Sequence, residues 1–178
     1  MFITTTNDDD IVDNDVTLTA TDPENAEHIK IIRRDLDDIT FKKQDNRWFM
    51  QHPYAITANP VRINTLLGVL QAHSYAQFDT TEVTLGRFLL DHPLVSIQID
   101  DNLIKFGDTN PLERLRYVLF NNTVHLINDS LYQQLLAPAT FFISLKLIPA
   151  GNNISAIHLL DDHVSLVDGI WKLNPPRE

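Results

Sequence analysis

The sequence predicts an α+β fold: antiparallel β-meanders in two related modules, with one main amphipathic helix packed on the sheet. Three observations predict it. Short alternating or β-branched runs are separated by pairs of Asp, Asn and Gly, residues that accept the positive φ of a tight hairpin. One stretch carries apolar residues at clear helical spacing behind a cap. Finally, "QDNRWFMQHP" (Gln44 to Pro53) is echoed by "VDGIWKLNPP" (Val167 to Pro176), with turn pair, tryptophan and proline at the same spacing.

Taken in order, residues 1–25 read as a flexible acidic leader, because they offer too little apolar surface to offset ordering entropy. Residues 1–27 hold eight acids and no Lys or Arg. The remaining chain carries sixteen acids against fourteen bases, so residues 1–27 account for eight of the ten net negative charges. A nearly neutral body argues against a nucleic-acid footprint. Asp13, Asp15, Thr17, Thr19 and Glu24 fall on the ligand places of a calcium loop. However, Leu18 stands where that loop needs Gly, and no helices are expected on either side.

Residues 26–178 read as a single α+β domain, with modules over roughly 26–80 and 94–178. Strands are expected around Ile29 to Ile32, Ile39 to Lys43 and Arg47 to Gln51, the last two joined by Asp45-Asn46. Asn59 caps and Pro60 begins the main helix, whose stripe is Ile63, Leu66, Leu67 and Leu70. Val95 to Ile99 and Leu103 to Phe106 then flank an Asp101-Asn102 turn. "GDTNP" (Gly107 to Pro111) is expected to connect onward to strands Arg116 to Phe120 and Thr123 to Ile127, which flank Asn121-Asn122. Asp129 is placed as the cap of a short helix with Leu131, Leu135 and Leu136. "PATFFISLKLIP" is read as helix rather than strand. Ile154 to Leu160, Val164 to Val167 and Ile170 to Leu173 complete the pattern around Asp168-Gly169.

The two tryptophans suggest duplication. Ile31 to Trp48 and Ile154 to Trp171 span equal distances, and Phe41, Asp45, Trp48 and Pro53 match Val164, Asp168, Trp171 and Pro176. Each unit is strand, strand, tight turn, strand. Both tryptophans are therefore expected to close over the apolar face of their own meander.

The order of "RDLDDITFKKQDNRWFMQHPYAITANPVRINTLLGVL", "FGDTNPLERLRYVLFNNTVHLINDSLYQQLLAPATFF" and the closing "DGIWKL" resembles the bacterial domain of unknown function 4340 family, over roughly residues 27–176. Gly107 to Pro111 followed by Arg116 to Val118 is its most specific piece. The resemblance implies a non-catalytic, extracytoplasmic domain. Relatives usually follow an N-terminal membrane helix, and some sit in auxiliary subunits of gliding-motility-type ABC transporters. This sequence departs from the pattern in lacking that helix. The implied location is periplasmic, with a protein partner in the envelope such as an ABC-transporter-type complex, and with the membrane reached only through a helix absent from this chain. The resemblance carries no catalytic residues.

The residues themselves point to no reaction. There is no cysteine, which removes thiol chemistry and thiolate metal sites. No Gly-x-Ser-x-Gly elbow or phosphate loop occurs, and Gly68 sits inside the helix. The seven histidines make no HxH or HExxH spacing; His158 and His163 lie five apart across an expected turn, so no metal and no cofactor are assigned. Three formal glycosylation sequons read as chance. The best candidate for specific function is the Gly107 to Pro111 loop. Its main expected role is that of a structural connector, with Asp108 and Asn110 anchoring the turn through their side chains; the alternative is a recognition loop in which nearby Arg114 and Arg116 offer forked donors to carboxylate or phosphate groups. Asp108, Asn110, Arg114 and Arg116 are thus the candidate ligand- or partner-binding residues. The preferred function is an accessory or interaction module of the cell envelope. The alternative is a small-ligand or polysaccharide-binding module with a cleft between the meander units, and a hydrolase is the third reading.

Overall fold

A computed structural model describes residues 16–111, 114–146, 154–159 and 162–174. They divide into two compact units, one ending at Ser144 and the other beginning at Leu145. The first unit is dominated by a nine-stranded antiparallel sheet of order β4-β3-β2-β1-β6-β7-β8-β9-β5. Its strands are β1 (His28–Arg33), β2 (Ile39–Gln44), β3 (Arg47–His52), β4 (Ile56–Thr57), β5 (Ala76–Asp79), β6 (Val95–Ile99), β7 (Asn102–Thr109), β8 (Leu115–Phe120) and β9 (Thr123–Asn128). Strands from both expected modules therefore share one sheet, through the β1–β6 pairing. The architecture is α+β in character, mostly antiparallel strand.

The turns follow the residue types that specify them. Asp45 and Asn46 both take positive φ, as do Asn121 and Asn122, which matches the twist of the flanking strands. The turn after β6 sits one residue earlier than expected. Ile99 pairs with Asn102, so Asp100-Asp101 makes the turn. Asp100 adopts φ 48, and its carboxylate accepts the His28 N–H at 2.9 Å. That contact ties the turn to the start of β1.

Helix α1 (Pro60–Leu67) begins as its sequence dictates: the Asn59 side chain accepts the Val61 N–H, and Pro60 occupies the first turn. Ile63, Leu66 and Leu67 are buried, and Leu70 continues the stripe in a following 3₁₀ turn. This stripe packs into one core with Ile31, Ile39, Phe41, Met50, Ile97, Ile104 and Val118 from the sheet. The segment after β9 covers more of the same core through Leu131, α2 (Tyr132–Leu135) and a 3₁₀ turn over Ala139–Phe142. "PATFFISLKLIP" is thus a single 3₁₀ turn followed by irregular chain as far as Lys146, and its last residues lie outside the described ones. Phe142 meets Phe41 edge-on at 5.6 Å. Ile143 makes a single bridge to Ala58, and Ser144 N–H donates to Thr57 O.

Of the expected flexible leader, residues 1–15, and with them Asp13 and Asp15, lie outside the described residues. Its described part is docked. Leu18 and Thr19 donate their N–H groups to Ala72 O and Leu70 O, and both side chains are buried. Thr19 Oγ1 donates to Leu70 O at 2.9 Å. Leu18 in the core and backbone hydrogen bonds to residues 70–74 hold this stretch.

The second unit is a three-stranded meander of β10 (Ala156–Leu159), β11 (Asp162–Val167) and β12 (Ile170–Asn174). Asp168 and Gly169 take positive φ at its tight turn. Its β11–β12 register matches that of β2–β3: Val164 faces Leu173 as Phe41 faces Met50, and Leu166 faces Trp171 as Lys43 faces Trp48. The first strands differ. Ile31 pairs with Ile39, yet the equivalent Asp162 pairs with Leu159 rather than with Ile154. The tryptophans also differ: Trp48 is 8% exposed and Trp171 is 45% exposed. Equal burial of the two is therefore corrected, because α1 and the Phe142 segment cover the first meander's core, and the described residues of the second unit include no helix. Across the described residues no helix is long and apolar enough to cross a membrane.

Trp48→Ala is expected to cost about 3–5 kcal/mol, in line with truncation of a buried aromatic. Trp171→Ala should cost less than about 1 kcal/mol, because much of its surface already meets water. Urea unfolding of the two variants checks the difference; equal losses would show that Trp171 packs into a core to the same degree as Trp48.

Candidate functional site

The four residues singled out around this loop have different fates. Gly107, Asp108 and Thr109 belong to β7, so only Asn110 and Pro111 of the "GDTNP" stretch lie in the connector to β8. The β7–β8 register shifts between Phe106 and Thr109. Asp108 is exposed and its Oδ1 accepts the Thr109 N–H at 2.8 Å. Asn110 N–H donates to Leu115 O, and Asn110 O accepts from Arg114 N–H at 3.0 Å. Arg114 adopts φ 57 with an exposed side chain. Asp108 thus braces only its neighbour, while Asn110 closes the loop through its backbone.

Gly107 is needed for a reason other than unusual φ, since its φ is not positive. A Cβ there would overlap the Phe88 carbonyl and lie 2.8 Å from Leu90 Cδ2. The chain from Leu85 to Leu90 crosses the outer face of the sheet at this point, with Leu90 fully buried and Phe88 stacked on Tyr117 at 4.2 Å. Only a residue without a side chain admits that approach.

Arg116 is buried, and its fork is already engaged. Nε and Nη2 donate to Asp129 Oδ1 and Oδ2 at 2.5 and 2.9 Å, and Nη1 donates to Gly107 O. Its Cζ lies 3.4 Å from the centre of the Tyr132 ring. Asp129, expected as a helix cap, therefore holds Arg116 instead, and α2 has Leu131 at its N-cap with no side-chain bond. The sequence hides this pairing because a helix-cap reading of Asp129 accounts for its position locally. Arg116 and Asp129 are thirteen residues apart, and a sequence signal for that pair requires the β8–β9 register.

Asn110 and Arg114 remain together, lining a shallow cleft of about 410 Å³ with Thr109, Pro111, Asn128 and Asp129. That size reaches the lower part of the range of small-molecule sites. Asp108 and Arg116 do not line it.

A second polar cluster has no counterpart in the sequence reading. His125 on β9 and Ser74 are both buried, with Nδ1 and Oγ 2.9 Å apart, and Ser74 Oγ donates to Ala76 O at 3.2 Å. A hydroxyl has one proton to give. Both contacts are hydrogen bonds when His125 Nδ1–H donates to Ser74 and Ser74 donates to Ala76 O. In that arrangement His125 is no base toward Ser74, and the pair fastens residues 74–76 to β9. Burial lowers the His125 pKa, because an imidazolium is penalised away from water.

Among the described residues, no group of three or more His, Asp or Glu is placed to hold a metal ion. The chain matches no family model, no curated protein and no solved structure.

Asp129→Ala is expected to destabilise by roughly 3–5 kcal/mol, the cost of leaving a buried charge unpaired. Asp108→Ala should stay within about 0.5 kcal/mol, as for ordinary surface positions. Thermal and denaturant melts of the two variants check this, and a loss at Asp108 comparable to that at Asp129 would restore the loop as the structural centre.

The His125 pKa also sets a pH dependence. The unfolded side chain titrates near about 6.5 and the folded one lower, so below the unfolded value the unfolded state binds more protons. Stability should be intact above that value and fall as pH drops toward the lowered folded pKa. His125→Gln should flatten the slope of the denaturant midpoint over this window; an unchanged slope would assign it to other groups.

Proposed function

We propose that this protein is a non-catalytic interaction module of the bacterial cell envelope, with a protein partner that contacts the C-terminal meander. The observation that carries this reading is the apolar face of that meander. Ile157, Val164, Leu166, Trp171 and Leu173 share it by register, and Ile157, Leu166 and Trp171 are 42%, 40% and 45% exposed. A contiguous exposed apolar face with a tryptophan on it is the composition of a protein contact. The envelope location and the transporter-type partner rest on the resemblance to the domain of unknown function 4340 family. The reading also takes the two meanders as related modules, supported by their shared hairpin register.

A second reading, small-ligand or polysaccharide binding, is supported by the cleft beside Asn110 and Arg114. Its polar lining offers amide, hydroxyl, guanidinium and carboxylate groups to a sugar-like ligand. The interaction reading is preferred because this cleft is shallow, whereas the meander leaves large apolar side chains in water.

The test uses the full chain immobilised against detergent-solubilised envelope protein. A retained partner should be lost with Trp171→Asp, by roughly thirtyfold in affinity or more if Trp171 is a central anchor, while the melting midpoint falls by no more than about 4 °C. Retention that survives Trp171→Asp and falls with Arg114→Ala would move the site to the cleft.

A further inference from the structure

The C-terminal meander carries a second feature, on its opposite face. His158 and His163 are direct cross-strand partners in β10 and β11. Leu166 N–H donates to Ser155 O, which marks 155 and 166 as a hydrogen-bonded pair. Antiparallel pairs alternate, so 158 and 163, three places along, fall at a non-hydrogen-bonded position, where backbones approach to about 4.5 Å and side chains lie closest. The two Nδ1 atoms are 2.9 Å apart and the ring centres 4.0 Å apart, with the rings nearly perpendicular. The contact needs one ring to present an N–H and the other a lone pair. His158 is exposed and His163 half-buried, so the pair opens to solvent.

We propose that His158 and His163 form a two-nitrogen chelating site for a divalent transition-metal ion of the zinc, nickel or copper class. Imidazole nitrogen suits these ions. Zinc with ligands at about 2.0–2.1 Å in tetrahedral geometry spans roughly 3.4 Å between donor atoms. The observed separation is about half an ångström shorter, within reach of a small rotation of exposed side chains. The hairpin holds the donors together beforehand, so the second bond forms within a chelate and adds affinity without new ordering of the backbone. Two protein donors leave further coordination positions for water or for a donor from another molecule. The spacing of five makes no helical or HxH motif because these residues meet across strands. The proposal stands independently of the interaction reading, whose surface is the other face of the sheet.

The test is titration of the chelator-treated full chain with Zn²⁺ or Ni²⁺ alone. One saturable ion per chain is expected, weakened by roughly a hundredfold in His158→Gln and in His163→Gln through loss of the chelate. In the unsubstituted chain, Ni²⁺ should broaden the ring resonances of His158 and His163 before those of the other five histidines, a readout that does not depend on any variant folding. Absence of saturable binding, unchanged affinity in both variants, or earlier broadening at another histidine would each overturn the site.

Discussion

The Arg116 guanidinium joins three places around β8: the irregular end of β7 through Gly107 O, the turn after β9 through Asp129, and α2 through the Tyr132 ring. Taking this charge out of water costs several kcal/mol, and only a complete set of partners offsets it. The partners are supplied by local features that would otherwise be defects. The Leu85 to Leu90 crossing presses on β7 at Gly107, the β7–β8 register slips there, and the carbonyl at that point meets a charged donor. Asp129 is thereby bound to the sheet. A four-residue helix without a side-chain cap follows, held by packing on the core and by the arginine beneath its tyrosine.

The same logic governs the sheet's margins. An antiparallel sheet of nine strands exposes two edges, and long exposed edges invite pairing with other chains. Both edge strands are short, two residues in β4 and four in β5. The Ala58–Ile143 bridge closes the chain beyond β4. Near β5, residues 16–19 lie along residues 70–74 and Ser74 is bonded to His125. Here the acidic N-terminal region contributes to the fold through backbone donors and through Leu18, although its composition is that of a leader.

What the sequence made legible is what short-range chemistry specifies. Asp45-Asn46, Asn121-Asn122 and Asp168-Gly169 turn where such residues tolerate positive φ, and Asn59-Pro60 starts the helix for reasons contained in those two residues. The illegible features all require knowing which strands are neighbours. Asp129 looks like a cap until β8 and β9 are in register, when it becomes the partner of Arg116. Ser74 and His125, and likewise His158 and His163, have no linear motif because their contacts run between strands. β5 is invisible in the sequence because "AQFD" carries no β-branched residue, and its identity as a strand comes from pairing with β9. The candidate site divides along the same line. Asn110 and Arg114 stay together because they are near in sequence, whereas Arg116 is claimed by a distant acid.

The two tryptophans show how far local sequence carries. Each stands one residue into the strand after a tight turn, and each hairpin has the same register. Turn chemistry therefore determines which face each tryptophan occupies. It does not determine what covers that face. Trp48 is buried in the core cluster that includes α1's Ile63, Leu66 and Leu67 and, after β9, Phe142, layers contributed by residues up to ninety-four positions away. The described part of the second unit is three strands, and a three-stranded sheet has no layer of its own to place over Trp171. An apolar face written into the hairpin pattern is thus completed in the first case by tertiary structure, whereas in the second its tryptophan is 45% exposed. That difference is the observation on which the proposed partner contact at the second meander rests.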